Sequence, residues 1–163
     1  TICMISLAQI NKSKLNINCN NLSLDKIKLD DYHIKSRATL IIAPNHLCNQ
    51  WKLEIKDKST VNNRIILVTT KKEFDKTTYQ DIVLADFVIV SLQFLNNNSF
   101  KNKWKEYHSC YHTSILDETI QTIASEYMRN PNLLQLFCPL FPLIHFHRLV
   151  IDECHELNNM KSH

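Results

Sequence analysis

Four short apolar runs, rich in β-branched residues, limit the folds that this chain can adopt. They are Ala38–Ala43, Arg64–Thr69, Asp86–Ser91 and Arg148–Asp152. Near-continuous apolar runs of this length suit the strands of a parallel sheet that is covered on both faces. Helical patterns lie between some of the runs, and strands that alternate with helices predict an α/β doubly wound domain.

Two segments have the spacing of amphipathic helices. The first, residues 1–9, is compatible with a helix that turns Ile2, Ile5 and Leu7 inward. The second follows the first strand, where Pro44 and Asn45 mark its start. The apolar positions of this second helix are Leu47, Trp51, Leu53 and Ile55. For Trp51, helical spacing favours a place in the core over a role in stacking on bases.

Two regions interrupt this pattern and are predicted to be inserts. Residues 11–35 are polar and rich in asparagine, which favours a loop that can hold a small hairpin. Residues 96–147 are predicted to be a partly helical insert. Within it, Thr113–Arg129 has the pattern of a helix, and Asn130 and Pro131 end it.

Composition excludes several classes of function. The 163 residues contain no glycine, whereas average usage is about 7%. A Gly-rich phosphate loop is therefore absent from this stretch, and we expect the chain to be part of a longer domain. No apolar run approaches the roughly 20 residues that span a bilayer, so no membrane partner is expected. The net charge of +3 is weak evidence for a nucleic-acid partner.

Cysteine and histidine are scattered rather than paired. Six cysteines without a CxxC pair favour free thiols in a reducing compartment. His108, Cys110 and His112 alternate, but this spacing fits a zinc site poorly, and ordinary insert residues explain it better. A basic and aromatic cluster in the same insert can touch DNA, although a solvated face explains it better; it comprises Lys101, Lys103, Trp104 and Lys105.

The candidate chemistry lies where strands end. Ligands of open α/β sheets bind at the carboxyl ends of the strands, which here are Pro44–His46, Ser91 and Asp152–His155. Two adjacent carboxylates are costly at such a position unless a cation or another partner satisfies them. Asp152 can hold Mg²⁺, Glu153 can polarise a water for attack on a phosphate, and His155 can link the site to a neighbouring element. A solvated loop after a strand is the plain alternative.

The residues around this site resemble a known family. RLVIDECHELNN (148–159) resembles motif II of superfamily 2 helicases and translocases, with Cys154 at the usual alanine. The asparagine at Asn159 and the serine at Ser162 match the SWI/SNF-type DNA-dependent ATPases. Thr39–Ile55 resembles motif Ia of that family, through Leu47, Gln50, Trp51 and Glu54.

Two weaker similarities follow the same order along the chain. Tyr79–Leu95 resembles the motif Ib region, where only the hydroxyl of Ser91 matches the usual Thr-Thr-Tyr. TICMISL at the start resembles the residues that follow Gly-Lys in motif I. On that alignment Thr1 is the P-loop threonine, and the glycine-rich loop would lie upstream.

The resemblance implies a fold and a function. Residues 1–163 would form part of a RecA-like lobe, with the P-loop strand missing. ATP and Mg²⁺ would be the cofactors, with Thr1 and Asp152 on the metal, Glu153 activating water and His155 coupling the two lobes. Asn45, His46 and Ser91 would contact nucleic acid, because free N–H groups at a helix start attract phosphate.

The implied partners are duplex DNA, a second RecA-like lobe of the same protein, and a nucleosome or another DNA-bound protein. The implied location is intracellular: the nucleus, the cytoplasm or a viral replication site. Another superfamily 2 DNA or RNA helicase lobe is the nearest alternative, and a degenerate lobe that binds nucleic acid without hydrolysing ATP is a further one. Because the P-loop lysine and the arginine finger are absent from this stretch, we expect it alone to be inactive.

Overall fold

The four apolar runs form one sheet in the computed structural model, which describes residues 2–14, 33–98, 100–101 and 129–155. The strands are β1 (Ile34–Ala43), β2 (Ile65–Val68), β3 (Phe87–Ser91) and β4 (Ile144–Ile151). All pairs are parallel, in the order β2-β3-β1-β4. The predicted α/β class and parallel sheet are therefore confirmed, in agreement with a RecA-like lobe.

Several predictions fall outside the described residues. They concern Thr1, most of the 11–35 insert, the helix at 113–129, the His-Cys-His alternation, three members of the basic cluster (Lys103, Trp104, Lys105), Asn159 and Ser162.

Two strands begin earlier than their apolar runs predict. β1 begins at Ile34 rather than Ala38, and β4 begins at Ile144 rather than Arg148. The added residues pair with one another, from Ile34 with Ile144 to Ser36 with Phe146, before an irregularity in register. Polar residues interrupt the apolar pattern there because β4 lies at the edge among the described strands. Its side chains alternate between buried or half-buried and exposed positions.

Short helices connect the strands. They are α1 (Ile2–Ile10), α2 (Asn45–Lys58), α3 (Lys71–Phe74), α4 (Tyr79–Leu84) and α5 (Leu92–Leu95), with 3₁₀ turns at Leu133–Gln135 and Phe141–Leu143. None of the helices in the described ranges is long and apolar enough to cross a membrane.

Apolar side chains cover both faces of the sheet. On one face, α1 and α2 bury Ile5, Trp51 and Ile55 against alternate strand residues such as Ile41 and Ile89. On the other face, α4 packs with an aromatic cluster. The aromatic cluster consists of Phe74, Phe94, Phe100 and Phe141. The centroids of neighbouring rings in it lie 5.2–6.0 Å apart. Alternate residues of a strand point to opposite faces, so each strand contributes to both clusters.

The predicted inward face of α1 is partly wrong. Ile5 is buried as expected, but Ile2 and Leu7 are 56% and 46% exposed, and Ala8 is buried in their place. Ile5 and Ala8 are three residues apart, which is the spacing that keeps two side chains on one helix face. In α2, Leu53 is likewise 59% exposed, because it lies on the side of the helix opposite to Trp51 and Ile55.

Reciprocal hydrogen bonds fix the starts of α3 and α4. Thr70 and Glu73 form a capping box at α3, and Thr78 and Asp81 form one at α4. Glu73 also accepts from the N–H and hydroxyl of Thr69, at 2.7 and 2.8 Å. Burial raises the pKa of the Glu73 carboxyl, but these hydrogen bonds outweigh it and hold the pKa below the ordinary value of 4.5.

Replacement of Glu73 should remove the part of the free energy of unfolding that depends on pH through the ionisation of its carboxyl. A lowered pKa in the folded state stabilises the protein above the unfolded pKa, and this stability is lost as pH falls through the folded value. We expect Glu73→Ala to cost about 1–2 kcal/mol at pH 7, and Glu73→Gln to cost less because glutamine can still complete the capping box. Urea unfolding at pH 7 and at pH 3 measures the free energy of unfolding of both variants. If the difference in this free energy between wild type and Glu73→Gln were the same at pH 7 and pH 3, this account would be contradicted.

Candidate active site

The strand ends that the sequence singles out meet at one edge of the sheet. In a parallel sheet the carboxyl ends of neighbouring strands lie together, and here β1 lies between β3 and β4. Ala43 at the end of β1 pairs with Ser91 at the end of β3. On the other side, the N–H of Asp152 donates to the carbonyl of Ile42 (2.8 Å). The three predicted segments therefore converge at this edge.

Asp152 is held by donors on both carboxylate oxygens. Oδ2 accepts a hydrogen bond from Nε1 of Trp51 (2.8 Å), and Oδ1 accepts one from the N–H of Glu153 (3.1 Å). A carboxylate has about four lone-pair sites on its two oxygens, so both oxygens can still accept another partner. The two bonds fix the orientation of the carboxylate without using up its capacity to bind.

Glu153 follows in an unusual backbone conformation. Its φ is 51°, in the left-handed region that costs a residue other than glycine roughly 1–2 kcal/mol. Its exposed carboxylate oxygen Oε2 lies 3.1 Å from Nδ1 of His155. The structure thus brings Asp152, Glu153 and His155 together in one tight turn after β4. The sequence gives no signal for the left-handed residue, because such positions are usually marked by glycine or asparagine.

A pocket of about 210 Å³ joins this turn to α2. Its walls are formed by Leu47, Gln50, Trp51, Glu54, Asp152 and Glu153. Four of these residues carry the resemblance to motif Ia and two carry that to motif II. Within the wall, Nε2 of Gln50 donates to Oε1 of Glu54 (2.8 Å). Two segments about a hundred residues apart in the sequence therefore share one cavity.

Trp51 is both a core residue and a polar partner. The ring is 4% exposed, so the prediction that it lies in the core is confirmed. The sequence missed its hydrogen bond to Asp152, because no local pattern indicates contact between positions 51 and 152. An indole N–H is usually hydrogen bonded when the ring is buried, which is the general signal that could have found a partner.

The predicted nucleic-acid residues lie at the start of α2 and the end of β3. Asn45 and His46 are exposed in the first turn of α2. Ser91 is buried, and its hydroxyl accepts from the N–H of Phe94 (3.3 Å), so it caps α5. Gln93, which the sequence analysis missed, connects the two places. Its Oε1 accepts from the N–H of Asn45 (2.7 Å) and from the hydroxyl of Ser91 (3.3 Å).

The cysteines of the described residues are free thiols, as predicted: Cys3, Cys48, Cys138 and Cys154. Cys48 lies buried beneath the first turn of α2, with Sγ 3.4 Å from the carbonyl oxygen of Pro44. Burial, with a smaller contribution from the charge of Glu73, raises the pKa of Cys48 to about 11. The Cys48 thiol therefore stays protonated at neutral pH and is a poor nucleophile.

The donor set at this edge suits magnesium. No group of three or more His, Cys, Asp or Glu side chains in the described part of the chain could hold a metal ion by itself. Mg²⁺ does not need such a group, because it is usually bound by one or two carboxylates together with water and substrate phosphates. The oriented, half-buried carboxylate of Asp152 fits that requirement.

A double-mutant cycle can measure the bond between Trp51 and Asp152. We expect Trp51→Phe to lower the free energy of unfolding by about 2 kcal/mol, because it removes a hydrogen bond to a charged group and some buried area. With Asp152→Ala as the second change, the coupling energy should be about 1–2 kcal/mol. Urea unfolding measures all four proteins, and additive effects would show that the bond contributes nothing.

Comparison with known proteins identifies the family of the chain. Residues 1–163 match the SNF2-related domain, while a comparison with individual curated proteins gave no significant match. Proteins of this family are ATPases that use ATP with Mg²⁺ and associate with DNA or chromatin. The chain therefore belongs to the SNF2-related family, as the amino-terminal lobe of a SWI/SNF-type ATPase.

Proposed function

We propose that this lobe provides the magnesium-binding and water-activating carboxylates of a DNA-dependent ATPase that translocates on duplex DNA. The observation that carries the proposal is the carboxylate of Asp152. Trp51 and the backbone of Glu153 orient it at the mouth of a pocket that motif Ia and motif II residues share. Within an ATPase family, an oriented carboxylate at a strand end can hold Mg²⁺, and a second acid beside it can act on the attacking water.

Asp152 would hold Mg²⁺ directly or through water, with the hydroxyl of Thr1 as the second protein ligand that the resemblance implies. When bound, the metal neutralises charge on the β- and γ-phosphates of ATP. The two hydrogen bonds to Asp152 would keep its carboxylate in place as nucleotide enters and leaves. Such support of a metal ligand by neighbouring donors commonly affects affinity for the metal.

Glu153 would accept a proton from the water that attacks the γ-phosphate. In the structure its carboxylate is close to His155 rather than free. Because the resemblance assigns His155 to coupling between lobes, contact of the second lobe with His155 would release Glu153 for its role as a base. Hydrolysis would then depend on lobe closure, as in other enzymes whose catalytic groups assemble on closing.

DNA would contact the exposed start of α2 at Asn45 and His46. Backbone N–H groups in the first turn of a helix favour phosphate without reading bases. The N–H of Asn45 already donates to Gln93, so the N–H of His46 would meet the phosphate. Ser91 would contribute to the DNA contact indirectly, because its hydroxyl donates to Gln93, which also accepts from the N–H of Asn45. Trp51 lies six residues after Asn45, or about 9 Å along the helix, so the same rigid element spans the proposed DNA contact and the carboxylate of Asp152.

Glu153→Gln should separate nucleotide binding from turnover in the intact gene product that contains this chain. We expect ATP and Mg²⁺ still to bind, and DNA-stimulated hydrolysis to fall by about 100-fold or more, because loss of a general base typically has that effect. Glu73→Gln is the matched control, since it makes the same chemical change at the cap of α3, which contributes no residue to the pocket. Full turnover in Glu153→Gln would contradict the role of Glu153, and absence of ATP binding in the wild type would favour a degenerate lobe.

The choice of nucleic acid tests the translocase assignment. We expect duplex DNA to stimulate ATP hydrolysis by the intact gene product more than single-stranded DNA or RNA of equal length. His46→Ala should raise the duplex concentration that gives half-maximal stimulation, because it removes the exposed imidazole beside the proposed phosphate contact. Stronger activation by RNA would identify the protein as a different kind of superfamily 2 motor.

A further inference from the structure

A second cavity lies away from the carboxyl edge of the sheet. It has a volume of about 150 Å³ and is bounded by the end of α1 and by β1, β3 and β4. Its wall includes Arg148, which lies four residues before Asp152 on β4, or about 13 Å along the strand. The cavity is therefore separate from the pocket proposed to bind ATP and Mg²⁺, and it has no part in the function proposed above.

Two buried donors beside this cavity lack a hydrogen-bond partner. They are Nε2 of Gln9 and Nε of Arg37, and both residues line the cavity. Among the described residues, no other buried side-chain nitrogen or oxygen is left unpaired in this way. A buried polar group without a partner costs about 1–3 kcal/mol. Because both atoms are N–H donors, the missing partner must be an acceptor.

The cavity carries a surplus of positive charge, which favours an acceptor with negative charge. Lys12, Arg37 and Arg148 line it together with one carboxylate, Asp86, which leaves a surplus of two positive charges. Asp86 is already occupied: Oδ1 lies 3.4 Å from Nη2 of Arg37, and Oδ2 accepts from the N–H of Arg64 (2.9 Å). Within the described ranges, Lys12 and Arg148 have no carboxylate partner.

Neighbouring contacts place Arg148 at the wall of the cavity. Its Nη1 donates to the hydroxyl of Thr39 (3.1 Å), and its Nη2 donates to the carbonyl of Asn11 (3.0 Å), just after the end of α1. The same carbonyl lies 3.2 Å from Nε2 of His147. The partial negative charge at this end of α1 is thus already met by Arg148 and His147. A guanidinium has five N–H donors, and these two bonds leave others for a ligand.

We propose that this cavity binds a phosphate group. A tetrahedral phosphate offers several strong acceptor oxygens at once and carries the charge that two unpaired cations require. Ordered water could satisfy the orphaned donors, but it would leave the positive charge uncompensated. The cavity has room for a larger ligand, since its volume is roughly ten times what one ordered water needs. The phosphate would tie the end of α1 to the three strands around it.

The test is a calorimetric titration of the chain with inorganic phosphate. A titration with chloride at equal ionic strength serves as the comparison. We expect saturable binding of phosphate. Gln9→Leu and Lys12→Met should each weaken it by about fivefold or more, as loss of one hydrogen bond or one charge predicts. Lys56→Met is the matched control, because it removes the same charge from an exposed position in the last turn of α2; it should leave the affinity unchanged.

Competition distinguishes the sources of the phosphate. Displacement of inorganic phosphate by adenosine monophosphate, and not by duplex DNA, would identify a free phosphate monoester, whereas displacement by the duplex would identify a nucleic-acid backbone; each result supports the site. Equal responses to phosphate and chloride would overturn the proposal. Full-affinity binding in Gln9→Leu and Lys12→Met would also overturn it, because the phosphate would then bind elsewhere. None of these results depends on ATP hydrolysis, so the phosphate site and the proposed ATPase function are tested independently.

Discussion

The pairing of β4 alongside β1 is the interaction on which the candidate active site depends. It places the end of β4 beside the end of β1, from which α2 starts only two residues later. The N–H of Asp152 continues this pairing to Ile42, and the side chain of Asp152 then meets Trp51 of α2. A shift of one residue in this register would turn Asp152 to the other face of the sheet and break that contact.

The two ends of the sheet differ in their chemistry. At the carboxyl edge, Asp152 and Glu153 give negative charge and oxygen donors, which suit a metal ion. Level with the start of β3, Arg37 and Arg148 give positive charge and N–H donors, which suit an anion. The segments that join these strands are long enough to return each strand in the same direction, so the strand ends of each kind collect on one side.

The sequence predicted the sheet well because burial of apolar side chains determines it. All four runs became strands, and a parallel sheet covered on both faces requires that kind of run. It failed where polar residues stand in a strand, as at Lys35 and His145, which pair with each other before β1 begins to pair with β3. Lys35 is only half-buried there and His145 is exposed, so neither position has to be apolar. It also failed for Ile2 and Leu7, since the apolar pattern of α1 does not say which side meets α2.

The amino-acid pattern was enough to predict the strands, the positions of the candidate residues at strand ends, and the resemblance of motifs Ia and II to one family. These are local properties, fixed by hydrophobic pattern and by short motifs. The folded chain was needed to reveal that Trp51 orients Asp152, that Gln93 joins Asn45 to Ser91, and that Gln9 and Arg37 have unpaired buried donors. Each of these depends on contacts between distant segments, and such contacts exist only once the sheet fixes the register of its strands.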